Sequence, residues 1–421
     1  MYVQSRRPGG AARLVAAILL PSLAGCGSDS FLGGDGSGST LGSIFSNPGS
    51  LPSYVETDVN DLLDLAEPVD VTQGAKLIQG TISSPDDVDV FELGPVEPGD
   101  HVFVEVDASF EGAIALFDAA GAALLVNDHR NVYMGRNGPF VDIVIRRASA
   151  SCMIALAVTP GYNSSGDYNM VASVDPAAAL PDLRPDVILL DFDEERNVRI
   201  GSRPPIDVPA FDAAHISARF EGLSAEMTAR IVAQVREDFE PYEVTILSTS
   251  EGDEWDSSMS LVFFGTYDEA LLGVAEGVDE YNSQNDQVAI VFTDTFSVFN
   301  TLNPSVSEMA EALANVASHE IGHLLGLVHT DNPDDLMDVT AGLRELMLEQ
   351  EFVKSPLYTA VFPVGDQDSA QSLLDSVGGD EKLARERSLL KGRPSEVLKN
   401  RPNWKSTPRG CALSSCGLAS H

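Results

Sequence analysis

The sequence predicts a multidomain chain: an antiparallel β-sandwich followed by an α/β (α+β) unit. Three observations predict it. Residues 55–175 carry short apolar runs separated by turn residues at the spacing of a sandwich. Residues 186–379 alternate apolar runs with helical periodicity. Within the latter, His319-Glu320-Ile321-Gly322-His323-Leu324-Leu325-Gly326-Leu327-Val328-His329 reads H-E-x-x-H-x-x-G-x-x-H. Five fixed positions arise by chance in a chain of this length with probability on the order of 10⁻⁴.

In the first unit, Val102–Val106 and Ala113–Phe117 are followed by a turn at Asp118–Gly121, then by Val141–Ile145, Cys152–Val158 and Tyr168–Val174. Pro176–Arg184, rich in Pro and Ala, reads as a linker. In the second unit, Val187–Phe192 is a buried strand. Ser224–Phe239 is a helix with Met227, Ile231, Val235 and Phe239 on one side. Glu243–Leu247, Met259–Phe264 and Val288–Phe292 are further strands. Ser305 and Glu308 have the spacing of a capping box and open the next helix. Leu343–Phe352 and Asp368–Val377 are expected to be helices beyond the motif.

The motif has a mechanical reason. Positions i and i+4 share a helix face, so His319 and His323 can reach one cation, with Glu320 close by but not a ligand. Gly326 can adopt a conformation closed to other residues, which ends the helix and turns the chain so that His329 supplies a third nitrogen. Three imidazoles leave a fourth zinc position for water, the catalytic rather than the structural arrangement. Glu320 is then a candidate general base for that water.

These residues resemble the zinc signature of the metzincin metalloproteases, matrixin-like in type. The family places a methionine turn beneath the metal, which implies that role for Met337 in Asp334-Asp335-Leu336-Met337-Asp338. The resemblance also implies one catalytic Zn²⁺, a protein or peptide substrate, and a sheet-edge strand that binds substrate backbone at Gly273, Val274 and Ala275 within Leu271–Ala275. Thr330 fits no subfamily cleanly, no tyrosine follows Met337 closely, and a cysteine-switch propeptide is missing.

The first unit resembles the pre-peptidase C-terminal domain through Gly80-Thr81-Ile82, Asp86-Asp87-Val88-Asp89-Val90-Phe91, Pro98-Gly99-Asp100, Leu116-Phe117-Asp118 and Gly166-Asp167-Tyr168. That family usually follows the catalytic domain; here it precedes it. Asp86, Asp87 and Asp89 could bind Ca²⁺, against the plainer reading of a polar turn at a strand start. His101 and His129 read as surface residues.

The net charge of −38 argues against nucleic-acid binding. Residues 1–26 have the form of an export signal: Arg6, Arg7 and Arg13 precede a short apolar run, Leu14–Leu20, stopped by Pro21. Leu23-Ala24-Gly25-Cys26 resembles the lipobox of bacterial lipoproteins, which implies a lipid anchor at Cys26 and a place in the bacterial cell envelope, at the outer membrane, with plain secretion as the alternative. Residues 27–54 read as a flexible Gly/Ser tether. Cys152 is expected as a buried thiol, and Cys411 and Cys416 could pair. Residues 380–421, with nine Lys/Arg against four Asp/Glu, read as a disordered basic tail. The leading expectation is a lipid-anchored zinc endopeptidase. Its alternative is an exported binding protein with a catalytically silent zinc fold, using the sandwich.

Overall fold

The computed structural model describes residues 50–57, 60–128, 138–176, 179–279 and 281–391. The signal, Cys26, most of the tether, His129, Cys411 and Cys416 lie outside the described residues. Among the described residues no helix is long and apolar enough to cross a membrane.

Ten strands make the first unit: β1 (Ser53–Val55), β2 (Glu67–Pro68), β3 (Lys76–Ile82), β4 (Val88–Val96), β5 (His101–Ala108), β6 (Gly112–Asp118), β7 (Ala123–Asn127), β8 (Phe140–Val144), β9 (Ser149–Val158) and β10 (Gly166–Asp175). They form two sheets, ordered β1-β3-β10-β5-β8 and β2-β4-β9-β6-β7. Pairing is antiparallel except where the short β1 and β2 join their sheets in parallel. β1 begins inside the stretch expected as tether. Ile78, Val104 and Met170 from one sheet face Phe91, Leu116 and Ile154 from the other, giving the sandwich its core. Cys152 is buried there as a free thiol. His101 is partly exposed on β5, where its Nε2 lies 2.8 Å from Asp142 Oδ1 on the neighbouring strand, and that hydrogen bond raises its pKa.

The second unit begins with β11 (Asp186–Asp191), followed by β12 (Glu195–Val198), β13 (Ile206–Val208), β14 (Val244–Ser248), β15 (Ser260–Phe264), β16 (Gly273–Ala275) and β17 (Val288–Val291). Its main sheet is ordered β14-β11-β15-β17-β16; β16 is antiparallel and lies on the edge, while the other pairings are parallel. Two helices cover one face after the short α1 (Ala213–Ile216): α2 (Ser224–Asp238) and α3 (Val306–Leu324). α3 opens as its sequence requires. The Ser305 hydroxyl accepts the Glu308 N–H while the Glu308 carboxylate accepts the Ser305 N–H.

Beyond α3 the chain is mostly irregular, with β18 (Lys354–Pro356), β19 (Asp366–Asp368), α4 (Ser369–Ser376) and α5 (Glu381–Lys391). Two expectations are corrected here. Leu343–Phe352 is not a helix; it holds one 3₁₀ turn at Glu345–Met347, because the segment after it is drawn out to bridge Glu351 to Asp335. Residues 381–391 are not disordered: α5 docks its Ala384 into the core, and Arg387 pairs with buried Glu351 at 3.0 Å.

Residues 181–184 of the linker are tied down. Arg146 donates to the carbonyls of Pro181 and Asp182, and the Arg184 N–H donates to Ser376 O. The two units also share an apolar core. Val88, Val90, Ala113, Ala115, Phe117, Met153, Ala155 and Ala157, on the outer face of β4, β6 and β9, pack against Leu357 and Phe362 of the second unit. Polar links frame it: Arg147 to Asp375 at 2.9 Å, and the Tyr281 hydroxyl to Leu124 O at 2.8 Å.

Asp238 ends α2 fully buried, accepting the Ser318 hydroxyl of α3 at 2.6 Å. Burial pushes its carboxyl up to about 8. The native state thus holds a proton that an unfolded aspartate releases near pH ~4, so this group makes stability fall as pH rises from ~4 to about 8. Asp238→Asn is expected to remove that part of the slope. Urea midpoints at pH 5 and pH 8 check it: the wild type should lose more stability between them than the variant.

Candidate metal centre and catalytic cleft

His319 and His323 lie one turn apart on α3, and His329 returns to them after the helix stops. Gly326 makes that stop, with φ +99°, and the Leu327 N–H reaches back to Gly322 O. The three side chains bring ligand atoms within 4.8 Å of one another, a convergence found at no other three-residue group among the described residues. Asp86, Asp87 and Asp89 therefore do not form a cation site of that kind. Asp87 instead accepts the Ser83 N–H and closes the turn, while Asp89 is buried beside Tyr168 and Glu56.

Hydrogen bonds fix the tautomers of two of the three imidazoles. His319 Nδ1 lies 2.7 Å from Leu336 O, and His323 Nδ1 lies 2.8 Å from Leu327 O. A carbonyl only accepts, so each Nδ1 carries the proton and each Nε2 presents a lone pair inward. His323 Nε2 lies 3.1 Å from His319 Nε2 and 3.0 Å from His329 Nε2. Lone pairs at that separation repel unless a cation lies among them. Burial lowers all three pKa values, to about 3 for His319, about 4 for His323 and well below the usual range for His329. Three neutral, buried nitrogens aimed at one point suit zinc.

Met337 is completely buried below the helix, and its sulfur explains Gly322. An ideal Cβ on Gly322 would lie 2.5 Å from Met337 Sδ, so only glycine lets the turn pass this close. Sequence reading singled out Met337 and Gly326 but not Gly322.

Glu320 follows the first histidine and is 1% exposed. Burial pushes its carboxyl up to about 8, with the Ala275 backbone pulling the other way. It therefore faces β16. An ideal Cβ on Gly273 would lie 2.4 Å from Glu320 Oε1. The edge strand, the carboxylate and the imidazoles thus form one wall.

Residues 225–351, from the start of α2 past the methionine turn, match the family model of the matrixins. Over those residues the second unit is similar to the matrixin zinc metallopeptidases. In solved structures, this metallopeptidase chain is similar to archaemetzincin from Methanopyrus kandleri at 15% identity, covering 40% of this chain and 87% of that one with a TM-score of 0.23. A zinc-dependent peptidase from Methanocorpusculum labreanum is similar at 23% identity over 39% and 93% of the two chains, TM-score 0.19. The pre-peptidase C-terminal domain of a Bacillus anthracis collagenase is similar at 12% identity over 28% and 99%, TM-score 0.21.

Proposed function

We propose that the metallopeptidase is an endopeptidase in which His319, His323 and His329 hold the zinc and Glu320 is the general base. What carries the reading is the convergence of three buried imidazoles, with a buried carboxylate next to the first of them in sequence that is not part of the triad. Zinc, when bound, polarises the substrate carbonyl and makes water a stronger acid. Glu320, held against β16, accepts the proton of the attacking water and delivers it to the leaving amine. Gly273, Val274 and Ala275, on the edge of the sheet, pair with an extended peptide and present its scissile bond to Glu320.

Gly273→Ala is expected to displace the Glu320 carboxylate and lower kcat/KM on the order of 10²-fold, with zinc content unchanged. Full activity in that variant would separate Gly273 from the base.

We place the protein at the bacterial cell envelope, exported by residues 1–26 and held by a lipid on Cys26. The arginine-rich start, short apolar run and Leu23-Ala24-Gly25-Cys26 support this reading. Cys26→Ser should release it from the membrane fraction.

Digestion of an unstructured protein with and without chelator, with cleavage sites mapped by mass spectrometry, tests the peptidase assignment. Cleavage within the chain that chelator stops and zinc restores is expected. Chelator-insensitive cleavage, or none, overturns it.

A further inference from the structure

We propose that Gln367, Ser369 and Asp335 form a buried bracket that positions the third metal ligand, and that the β-sandwich is its outer support. The proposal rests on the zinc reading of the triad.

His319 and His323 are aimed by the helix that carries them. His329 is not: it follows Gly326 on irregular chain, so tertiary contacts must fix its direction. Both of its neighbours in sequence are gripped. Gln367 Oε1 accepts the Val328 N–H at 2.8 Å, and Gln367 Nε2 donates to Val328 O at 2.8 Å. Its amide thus imitates one residue of a neighbouring strand. On the other side, the Thr330 hydroxyl donates to Asp335 Oδ2 at 2.9 Å. Ser369 joins the two arms, receiving Gln367 Nε2 at 3.1 Å and donating to Asp335 Oδ2 at 3.3 Å. The His329 carbonyl itself accepts the Tyr358 N–H at 3.0 Å.

The bracket reaches the first ligand as well. Asp335 Oδ1 accepts the Met337 N–H at 3.3 Å, next to the Leu336 carbonyl that holds His319 Nδ1. Gln367, Ser369, Asp335 and Thr330 are all buried, so a broken arm leaves polar groups without water to replace the lost partner.

The sandwich sets the position of Gln367. The Asp366 N–H donates to Gly121 O at 2.9 Å, and Ala122 bridges Asp366 in parallel. Lys354, on the strand paired with β19, donates to Ala120 O at 2.8 Å. Gly365, at φ +87°, lies against the Phe117 ring so closely that an ideal Cβ would fall 2.2 Å from Phe117 Cε1. The β6–β7 turn therefore holds the residue before Gln367.

The test uses the full chain loaded with zinc. Zinc transfer to a chromophoric chelator is timed, and the visible spectrum of the cobalt-substituted protein is recorded. Gln367→Met and Asp335→Asn keep side-chain size while cutting an arm; Ser369→Ala is the milder cut, read instead of any variant that fails to fold. Each of the first two is expected to release zinc 10- to 100-fold faster, with a changed cobalt spectrum. The double variant should fall short of the product of the two effects. Ile246→Val, on the far edge of the main sheet, serves as control for lost stability. Release within twofold of wild type in the bracket variants, or equal acceleration in Ile246→Val, overturns the bracket. A wild-type protein that holds no zinc overturns the zinc reading and the bracket with it.

Discussion

Glu320→Ala is expected to bind zinc as the wild type does while kcat/KM for peptide cleavage falls by roughly 10²–10⁴. On the proposed reading the triad supplies the ligands without it, so zinc occupancy has no reason to change. What the variant loses is the carboxylate that stands beside β16, within reach of a Cβ at Gly273. Burial, opposed by the Ala275 backbone, leaves that carboxyl at about 8; a divalent cation nearby pulls it down again, toward the ionised form a base requires. Glu320→Gln, with the same shape and no basicity, should be as poor as alanine. Zinc analysis and steady-state kinetics on the same samples decide the matter. Cleavage at wild-type rate in either variant would move the proton acceptor elsewhere.

Phe362→Ala is expected to destabilise the fold by about 3–5 kcal/mol and to split its unfolding into two transitions. Phe362 is completely buried, and its ring centroid lies 6.0 Å from that of Phe117 across the junction between the units. Removing it opens the centre of the core shared by Phe117, Met153 and Leu357. Calorimetry of wild type should show one transition. A variant that unfolds at the wild-type temperature in a single step would mean that the sandwich is a separate module.

That shared core was legible in principle. Gly112–Phe117 and Cys152–Val158 are continuous apolar runs, where a sandwich strand with one solvated face would alternate. Their second buried face is the one that meets the peptidase unit. The three converging histidines, Gly326 and Met337 were readable because their spacing is local: one helix, one turn, one loop. The Ser305–Glu308 cap was readable for the same reason. Gln367 and Asp335 were not singled out, since a glutamine 39 residues from its backbone partner leaves no periodic trace. Residues 381–391 were misjudged on their charge. Arg387 is paired with buried Glu351, and the described helix runs through Lys391.

On the proposed reading His319, His323 and His329 share one zinc ion. X-ray absorption at the zinc edge, on protein purified without added metal, tests it most directly. One equivalent of zinc with three imidazole nitrogens in its shell, falling to less than one equivalent in His329→Ala, is the predicted result. No zinc, or zinc held by sulfur or carboxylate ligands alone, would contradict it.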